Sequence, residues 1–211
     1  MDMNTLLCIA RHGETDWNAE GKLQGWLDVP INARGRKQAR QLAIQFAGAG
    51  FSHIHASSLA RARETADMIA AALGLPPPAC HDDLRERNFG VLQGIPKAEL
   101  AELNPVLFQQ IASRNPASDF EQGETMDEFA DRVLTALQCI AGQNAGGRGL
   151  VITHGWCLDV IHRHISGLSR STILHMKPKN GDCLWVVATR QSILPCVPGS
   201  LPEMIGAKTV L

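Results

Sequence analysis

Short apolar segments alternate with amphipathic helical segments along most of this chain, and few folds accommodate such an alternation. Residues 6–10 (Leu-Leu-Cys-Ile-Ala) are apolar throughout and are followed at once by polar residues, which is typical of a strand buried on both faces. We predict further strands over 51–56, 149–153 and 183–188, and helices over 33–47, 61–73, 126–140 and 157–166. This alternation predicts an α/β fold in which helices cover both faces of a parallel sheet.

The ends of the predicted helices carry their own signals. Asn32 is a good N-cap for the first helix, and Gly48 and Gly50 stop it. Residues 94–115 are weakly helical and polar. The stretch after Arg190 matches no element, so packing on the sheet and self-association as a homodimer both remain open for it.

Composition narrows the class of protein. The chain has 211 residues, of which 45% are hydrophobic and 19% charged, and we predict a single domain over 1–211. The formal net charge of −1 predicts neither nucleic acid nor a membrane surface as a partner. The six scattered cysteines are typical of reduced thiols, and no secretory signal or apolar run of membrane-spanning length is present. We therefore expect a cytoplasmic protein.

Three predicted strands end just before chemically suggestive polar groups. The first leads into Arg11-His12-Gly13, the second into Ser57-Ser58 followed by Arg61, and the third into His154-Gly155. Ligands of open α/β sheets bind beyond the carboxyl ends of the strands. We therefore expect two arginines and two histidines to converge there, although the sequence separates them widely.

This set of side chains suits a phosphoryl group. Guanidinium groups grip phosphate oxygens in a bidentate manner and keep their charge at any working pH. An imidazole can act as a nucleophile when one nitrogen is free and the other is held as a donor, and Gly13 allows a close backbone approach beside it. Glu86 is the candidate acid for the leaving oxygen. Each residue taken alone also fits a purely structural role.

Five ordered segments carry a resemblance to a known family. Arg11-His12-Gly13-Glu14-Thr15, with Asn18 and Gln24-Gly25 after it, resembles the opening motif of the histidine phosphatase superfamily, which includes the cofactor-dependent phosphoglycerate mutases. The later segments 57–66, 84–94, 123–133 and 151–155 resemble that family's motifs in the same order. The resemblance spans about residues 6–188. It implies a three-layer α/β/α sandwich with a mostly parallel central sheet, as in phosphoglycerate mutase.

The resemblance also implies roles for individual residues. His12 would be the nucleophile and transient phosphohistidine, and Glu86 the general acid that later activates water. Arg11, Arg61 and His154 would complete the phosphate pocket. Asn18, Gln24, Gly25 and Gly155 would bind the substrate, and an insertion at about 95–122 would form a lid over it. No metal and no organic cofactor are implied.

Two activities remain open within this family. The sequence of residues 86–94 resembles the mutase version of this segment. Glu124, however, follows Glu86 by only 38 positions, which leaves room for a short insertion only. Gln24 also resembles the phosphatase branch. We therefore favour hydrolysis of a small phosphorylated metabolite, with a mutase as the alternative. Sugar phosphates, phosphoglycerate derivatives and α-ribazole phosphate are all compatible with the mixed polar and apolar lid.

Two other classes of protein are alternatives. A metal-dependent hydrolase could use His53 and His55, which share one face of a predicted strand; His162 and His164 are two apart on a helix and point away from each other. A non-enzymatic binding module would have lost part of the catalytic set. The complete set argues against that loss.

Overall fold

Strands and helices alternate along the computed structural model, which describes residues 3–118, 120–174 and 177–196. The strands are β1 (Thr5–Arg11), β2 (His53–Ser57), β3 (Ala79–His81), β4 (Arg148–Thr153), β5 (Cys183–Ala188) and β6 (Ile193–Pro195). The helices are α1 (Asp16–Ala19), α2 (Ala33–Phe46), α3 (Ala60–Leu73), α4 (Lys97–Leu103), α5 (Pro105–Ala112), α6 (Met126–Gln143) and α7 (Gly155–Ile165). In these ranges one six-stranded sheet forms, in the order β3-β2-β4-β1-β5-β6.

The centre of the sheet is parallel and one edge is antiparallel. Strands β1, β2, β3 and β4 pair in parallel, as predicted, whereas β5 pairs antiparallel with β1 and β6 antiparallel with β5. The sheet is therefore mostly parallel, as the family resemblance implied, with one antiparallel edge. Strand β5 begins beside the carboxyl end of β1, where the Arg11 N–H donates to the Asp182 carbonyl over 2.9 Å, and it therefore runs along β1 in the opposite direction.

The two faces of the sheet bury separate apolar clusters. On β1, Leu7 and Ile9 pack with α6 and α7, while Cys8 and Ala10 pack with α2 and α3 on the opposite face. All four side chains are fully buried, which explains why an uninterrupted apolar segment, rather than an alternating one, marks this strand. The three-layer arrangement is thus the one predicted.

The helix ends follow the local signals. The Asn32 side chain accepts a hydrogen bond from the Gly35 N–H over 2.9 Å, which caps α2, and Gly74 ends α3 with a φ of 67°. The weakly helical segment is two helices, α4 and α5, separated by Asn104, whose side chain caps α5. No helix in the described ranges is long and apolar enough to cross a membrane.

Part of the tail after Arg190 is assigned by the structure. Strand β6 extends the sheet beyond β5, and Ile193 joins the core on the α6 side. The prediction that this stretch packs on the sheet is confirmed for β6. Residues 197–211 lie outside the described residues.

A close contact between two glycines holds the loop after β1 against α2. A Cβ atom on Gly13 would lie 2.6 Å from the Gly35 carbonyl oxygen, and one on Gly35 would lie 2.2 Å from the Glu14 carbonyl oxygen. Such contacts are shorter than real carbon atoms tolerate, so both positions require glycine for packing. Because His12 precedes this contact, α2 determines where the histidine lies.

Replacing Gly35 by alanine tests this contact. Gly→Ala within a helix ordinarily stabilises a protein, but Gly35→Ala should lower the free energy of unfolding by about 1–3 kcal/mol because backbone must move. Gly142→Ala in α6 is the matched control, since the atoms nearest to its new Cβ belong to the side chain of the exposed Arg190 rather than to backbone. Urea denaturation measures both variants. Equal stability of Gly35→Ala and wild type would contradict the packing argument.

Candidate active site

The predicted residues converge at the carboxyl edge of the sheet. Strand β1 leads into His12, β2 into Ser57, and β4 into His154, and α3 brings Arg61 to the same place. A cavity of about 260 Å³ opens there. Of the residues predicted from the sequence, its lining includes Arg11, His12, Asn18, Gln24, Gly25, Arg61 and Glu86.

His12 is held as a neutral ring with one nitrogen available. Its side chain is 2% exposed, and Nδ1 lies 2.6 Å from the carbonyl oxygen of Gly13, which can only accept. Nδ1 therefore carries the proton, and Nε2 keeps its lone pair. Desolvation, followed by the positive charges of Arg61 and Arg11, lowers the pKa of His12 well below 6.5. These conditions give a ring nitrogen that can attack an electrophile.

Two buried guanidinium groups supply positive charge beside His12. Arg61 is 1% exposed and donates to the carbonyl oxygens of Leu27 and Gly25 over 2.9 and 2.7 Å. Arg11 donates to the Pro178 carbonyl over 2.6 Å. Desolvation lowers the pKa of each arginine to about 10, so both remain charged near neutral pH. Neither pairs with a carboxylate by a salt bridge in the described ranges, which leaves their charge for an anionic ligand.

Glu86 faces the same cavity from the segment after β3. Its side chain is 9% exposed, and its carboxylate accepts hydrogen bonds from the N–H groups of Arg87, over 3.0 Å, and Trp156, over 3.4 Å. A carboxyl group on the cavity wall opposite charged guanidinium groups can exchange a proton with a bound ligand.

His154 lies beside His12 rather than on the cavity wall. The two ring centroids are 5.1 Å apart, and Nε2 of His154 is 2.8 Å from the Ser57 hydroxyl. Neither His154 nor Gly155 lines the cavity. Gly155 instead allows close approach, since a Cβ there would lie 2.9 Å from Nη2 of Arg114. A direct phosphate contact by His154 stays a prediction.

Three of the four predicted substrate-binding residues, Asn18, Gln24 and Gly25, line the cavity. The Asn18 side chain accepts the Thr15 N–H over 3.2 Å, which leaves its amide N–H groups to donate. Gln24 is buried, and its Oε1 has no hydrogen-bond partner among the described residues. Gly25 adopts a φ of 51° and lies against Gln93, so only glycine fits there.

The cavity contains residues that sequence patterns did not single out. The segment predicted as a lid contributes Lys97, Phe108, Ile111, Ala112 and Arg114 to the lining, and its role as a lid stays a prediction. Lys22, Leu23, Phe89, Trp156 and Lys177 line it as well. Lys22 and Trp156 lie next to motifs recognised in the sequence, and this proximity could have identified them as lining residues. Lys177 precedes β5 in a stretch that carries no such motif.

His55, from one of the two histidine pairs considered as metal ligands, has other partners on both of its ring nitrogens. His55 lies 2.9 Å from His81 through Nδ1 and accepts from Asn144 through Nε2 over 3.2 Å. Among the described residues, no group of three or more His, Cys, Asp or Glu side chains has the geometry of a metal site. His53 and His55 do share a face, as predicted, with ring centroids 5.3 Å apart.

Burial and the neighbouring positive charges together lower the pKa of His12. Because both arginines lower the pKa of His12, we expect Arg61→Met to raise it relative to wild type. Arg63→Met, which removes an exposed charge from the same helix, is the control. Nitrogen-detected NMR of the imidazole should show the neutral Nδ1–H form of wild type persisting below pH 6.5. A wild-type His12 half-protonated near its ordinary pKa would contradict the geometry.

Comparison with known proteins agrees with this geometry. Residues 7–193 match the model of the histidine phosphatase superfamily, branch 1. The phosphoglycerate mutase-like protein 4 of Arabidopsis thaliana is 41% identical over 151 residues, which cover 71% of this chain and 66% of that protein, just under two thirds of its length.

Two solved structures show a similar fold. The Bacillus stearothermophilus protein YhfR superposes with a TM-score of 0.82 at 26% identity, covering 95% of this chain and 99% of that one. A mycobacterial glucosyl-3-phosphoglycerate phosphatase complexed with VO3 superposes with a TM-score of 0.74 at 26% identity, covering 86% and 90%. With its ordered motifs, its three-layer fold and its match over residues 7–193, the chain belongs to the histidine phosphatase superfamily, branch 1.

Proposed function

We propose that this protein is a phosphomonoesterase that hydrolyses a small phosphorylated metabolite through a phosphohistidine on His12. The observation that carries the proposal is the state of His12, with Nδ1 bound to the Gly13 carbonyl and Nε2 free beside two guanidinium groups. Neutral, oriented imidazole next to fixed positive charge is what nucleophilic attack on a phosphate ester requires.

In the first step, Nε2 of His12 attacks phosphorus and the bond from phosphorus to the ester oxygen breaks. Protonated Glu86 donates its proton to that oxygen, and the alcohol leaves. Arg11 and Arg61 stabilise the charge on the equatorial oxygens of the transferring group. His12 keeps its proton on Nδ1 throughout, which spreads the positive charge of the phosphorylated ring onto the Gly13 carbonyl.

In the second step, water attacks the phosphohistidine. Ionised Glu86 takes one proton from the water as its oxygen bonds to phosphorus, and the phosphorus–nitrogen bond breaks. Inorganic phosphate leaves, and both His12 and Glu86 return to their starting protonation states. The two residues line one cavity, so a single carboxyl group can serve in both steps.

Whether water or a second hydroxyl group accepts the phosphoryl group from His12 depends on how completely the closed site excludes water. The lid between Glu86 and Glu124 consists of two short helices, α4 and α5, and a phosphatase is among the solved structures similar to the chain. Both observations favour hydrolysis. The relative named as phosphoglycerate mutase-like favours the alternative, phosphoryl transfer to another hydroxyl.

The positive charge at the cavity exceeds what one phosphate monoester neutralises. Desolvation lowers the pKa of Lys97, and the nearby positive charges of Arg114, Arg11 and Lys177 lower it further. No carboxylate of the described ranges forms a salt bridge with Lys97 or Lys177. We therefore propose that the substrate carries a second anionic group, which these lid and rim cations bind.

Phosphate release tests the reaction. Wild type should release phosphate from esters, and His12→Ala should abolish release, whereas His164→Ala, an exposed histidine of α7, should leave it unchanged. Interconversion of 2- and 3-phosphoglycerate much faster than release of phosphate from any ester would establish the mutase alternative. Equal activity of His12→Ala and wild type would contradict the phosphohistidine mechanism.

Removal of one rim cation tests the second anionic group. Lys97→Met should raise KM about 3- to 10-fold for an ester bearing a carboxylate or second phosphate, because a charge-assisted contact is lost. An ester with no second charge should be unaffected, as should either ester with the exposed control Lys37→Met. Equal effects of Lys97→Met on both esters would contradict this proposal.

A further inference from the structure

The segment that carries Glu86 is gripped by an arginine to which the mechanism above assigns no role. Arg132, on α6, donates from Nη1 to the carbonyl oxygens of Asp83 and Arg85 over 2.8 and 3.1 Å. Its Nη2 donates to the carbonyl oxygen of Glu86 itself over 3.3 Å. One planar guanidinium therefore fixes three carbonyl groups immediately before and at the proposed acid.

Glu124 holds this guanidinium in place and also binds the far side of the segment. Its two carboxylate oxygens accept from Nε and Nη2 of Arg132 over 2.9 and 2.8 Å. One of them accepts the Asn88 N–H over 2.8 Å, and the Glu124 N–H donates to the Asn88 carbonyl over 3.0 Å. The pair thus pins the backbone on both sides of Glu86.

The surroundings restrict both the pair and the acid. The side chains of Arg132 and Glu124 are 16% and 14% exposed, so the ion pair is largely shielded from water. The Trp26 indole N–H donates to the Glu86 carbonyl over 2.8 Å, and the Arg132 guanidinium lies 5.8 Å from the Trp26 ring centroid. The backbone of Glu86 is therefore fixed from two directions.

The contacts of the nucleophile are separate from this grip. His12 is held through Gly13 and through its own N–H, which donates to the Thr153 carbonyl over 2.9 Å, and neither contact involves Arg132. The Thr153 hydroxyl also donates to the Leu84 carbonyl over 2.8 Å, so the segment keeps an anchor without Arg132. Loss of Arg132 should therefore displace Glu86 and leave His12 in place.

We propose that Arg132 and Glu124 are positioning residues that aim the Glu86 carboxyl group at the ester oxygen of the substrate. The inference rests on the proposed function, in which Glu86 protonates that oxygen as the phosphorus–oxygen bond breaks. Geometry matters here because proton transfer requires the donor within hydrogen-bond reach of the leaving oxygen. A merely structural arginine would affect all substrates alike.

The dependence on leaving group separates these roles. p-Nitrophenyl phosphate releases an acidic phenol that needs little protonation, whereas β-glycerol phosphate releases a basic alkoxide that needs an acid. kcat/KM reports the steps up to phosphorylation of His12 and excludes the later attack by water. The variants are Arg132→Lys and the isosteric Glu124→Gln. Arg170→Lys is the control, because Arg170 forms ion pairs with Asp127 and Asp131 of α6, the helix that carries Arg132.

We expect Arg132→Lys and Glu124→Gln to lower kcat/KM for β-glycerol phosphate by about 10- to 100-fold, the scale of a misplaced catalytic group. The value for p-nitrophenyl phosphate should fall less than about threefold, since general acid catalysis contributes little to it. Arg170→Lys should change neither. If Arg132→Lys proves unstable in a melting measurement, Glu124→Gln alone decides the result.

Glu86→Gln distinguishes failure of this inference from failure of the proposed function. If Glu86→Gln impairs β-glycerol phosphate selectively but both pair variants impair the two substrates equally, or neither, positioning by Arg132 and Glu124 is wrong. If Glu86→Gln itself shows no selectivity for the leaving group, Glu86 is not the general acid and the inference falls with that role.

Discussion

The hydrogen bond from Nδ1 of His12 to the Gly13 carbonyl is the contact on which the site depends. It places the ring proton on one nitrogen and leaves the other free, and it works only because Gly13 lies against Gly35 at the start of α2. Helix capping by Asn32 fixes that start. A chain of ordinary local interactions thus determines the chemical state of one imidazole.

Buried positive charge is the second determinant of the site. Arg61 and Arg11 use donors on backbone carbonyl oxygens, which keeps them ordered and charged while no salt bridge to a carboxylate in the described ranges neutralises them. The free energy needed to order these guanidinium groups is supplied when the protein folds. They therefore need not reorganise when an anion binds. Burial, together with these same charges, lowers the pKa of His12 and keeps its ring neutral.

Sequence patterns predicted the parts of the structure that local physics dominates. Strands β1 and β4 are largely apolar on both faces, β2 is apolar only on the face opposite His53 and His55, and the groups that follow these strands meet at one edge because parallel strands share a direction. Strand β3 could not be predicted, since it has three residues, two of them exposed. The antiparallel direction of β5 and the place of Lys177 on the cavity wall depend on how residues 177–182 pack against the carboxyl end of β1, which is a tertiary property. The place of His154 beside His12, rather than on the cavity wall, depends on side-chain packing with Ser57.

The cavity residues of α4, α5 and Arg114 are separate in the chain from those at the edge of the sheet, and this separation has a consequence for the evolution of substrate specificity. Lys97, Phe108 and Arg114 belong to one short stretch of chain, whereas His12, Arg61 and Glu86 belong to the sheet edge and the segment that α6 holds. Arg114 reaches the floor of the site through an ion pair with the buried Asp159, at 2.6 Å. Substitutions within α4 and α5 can therefore change the lining of the cavity while His12, Arg61 and Glu86 stay unchanged, so under the proposed function these helices are where descendants of this chain would acquire new substrates.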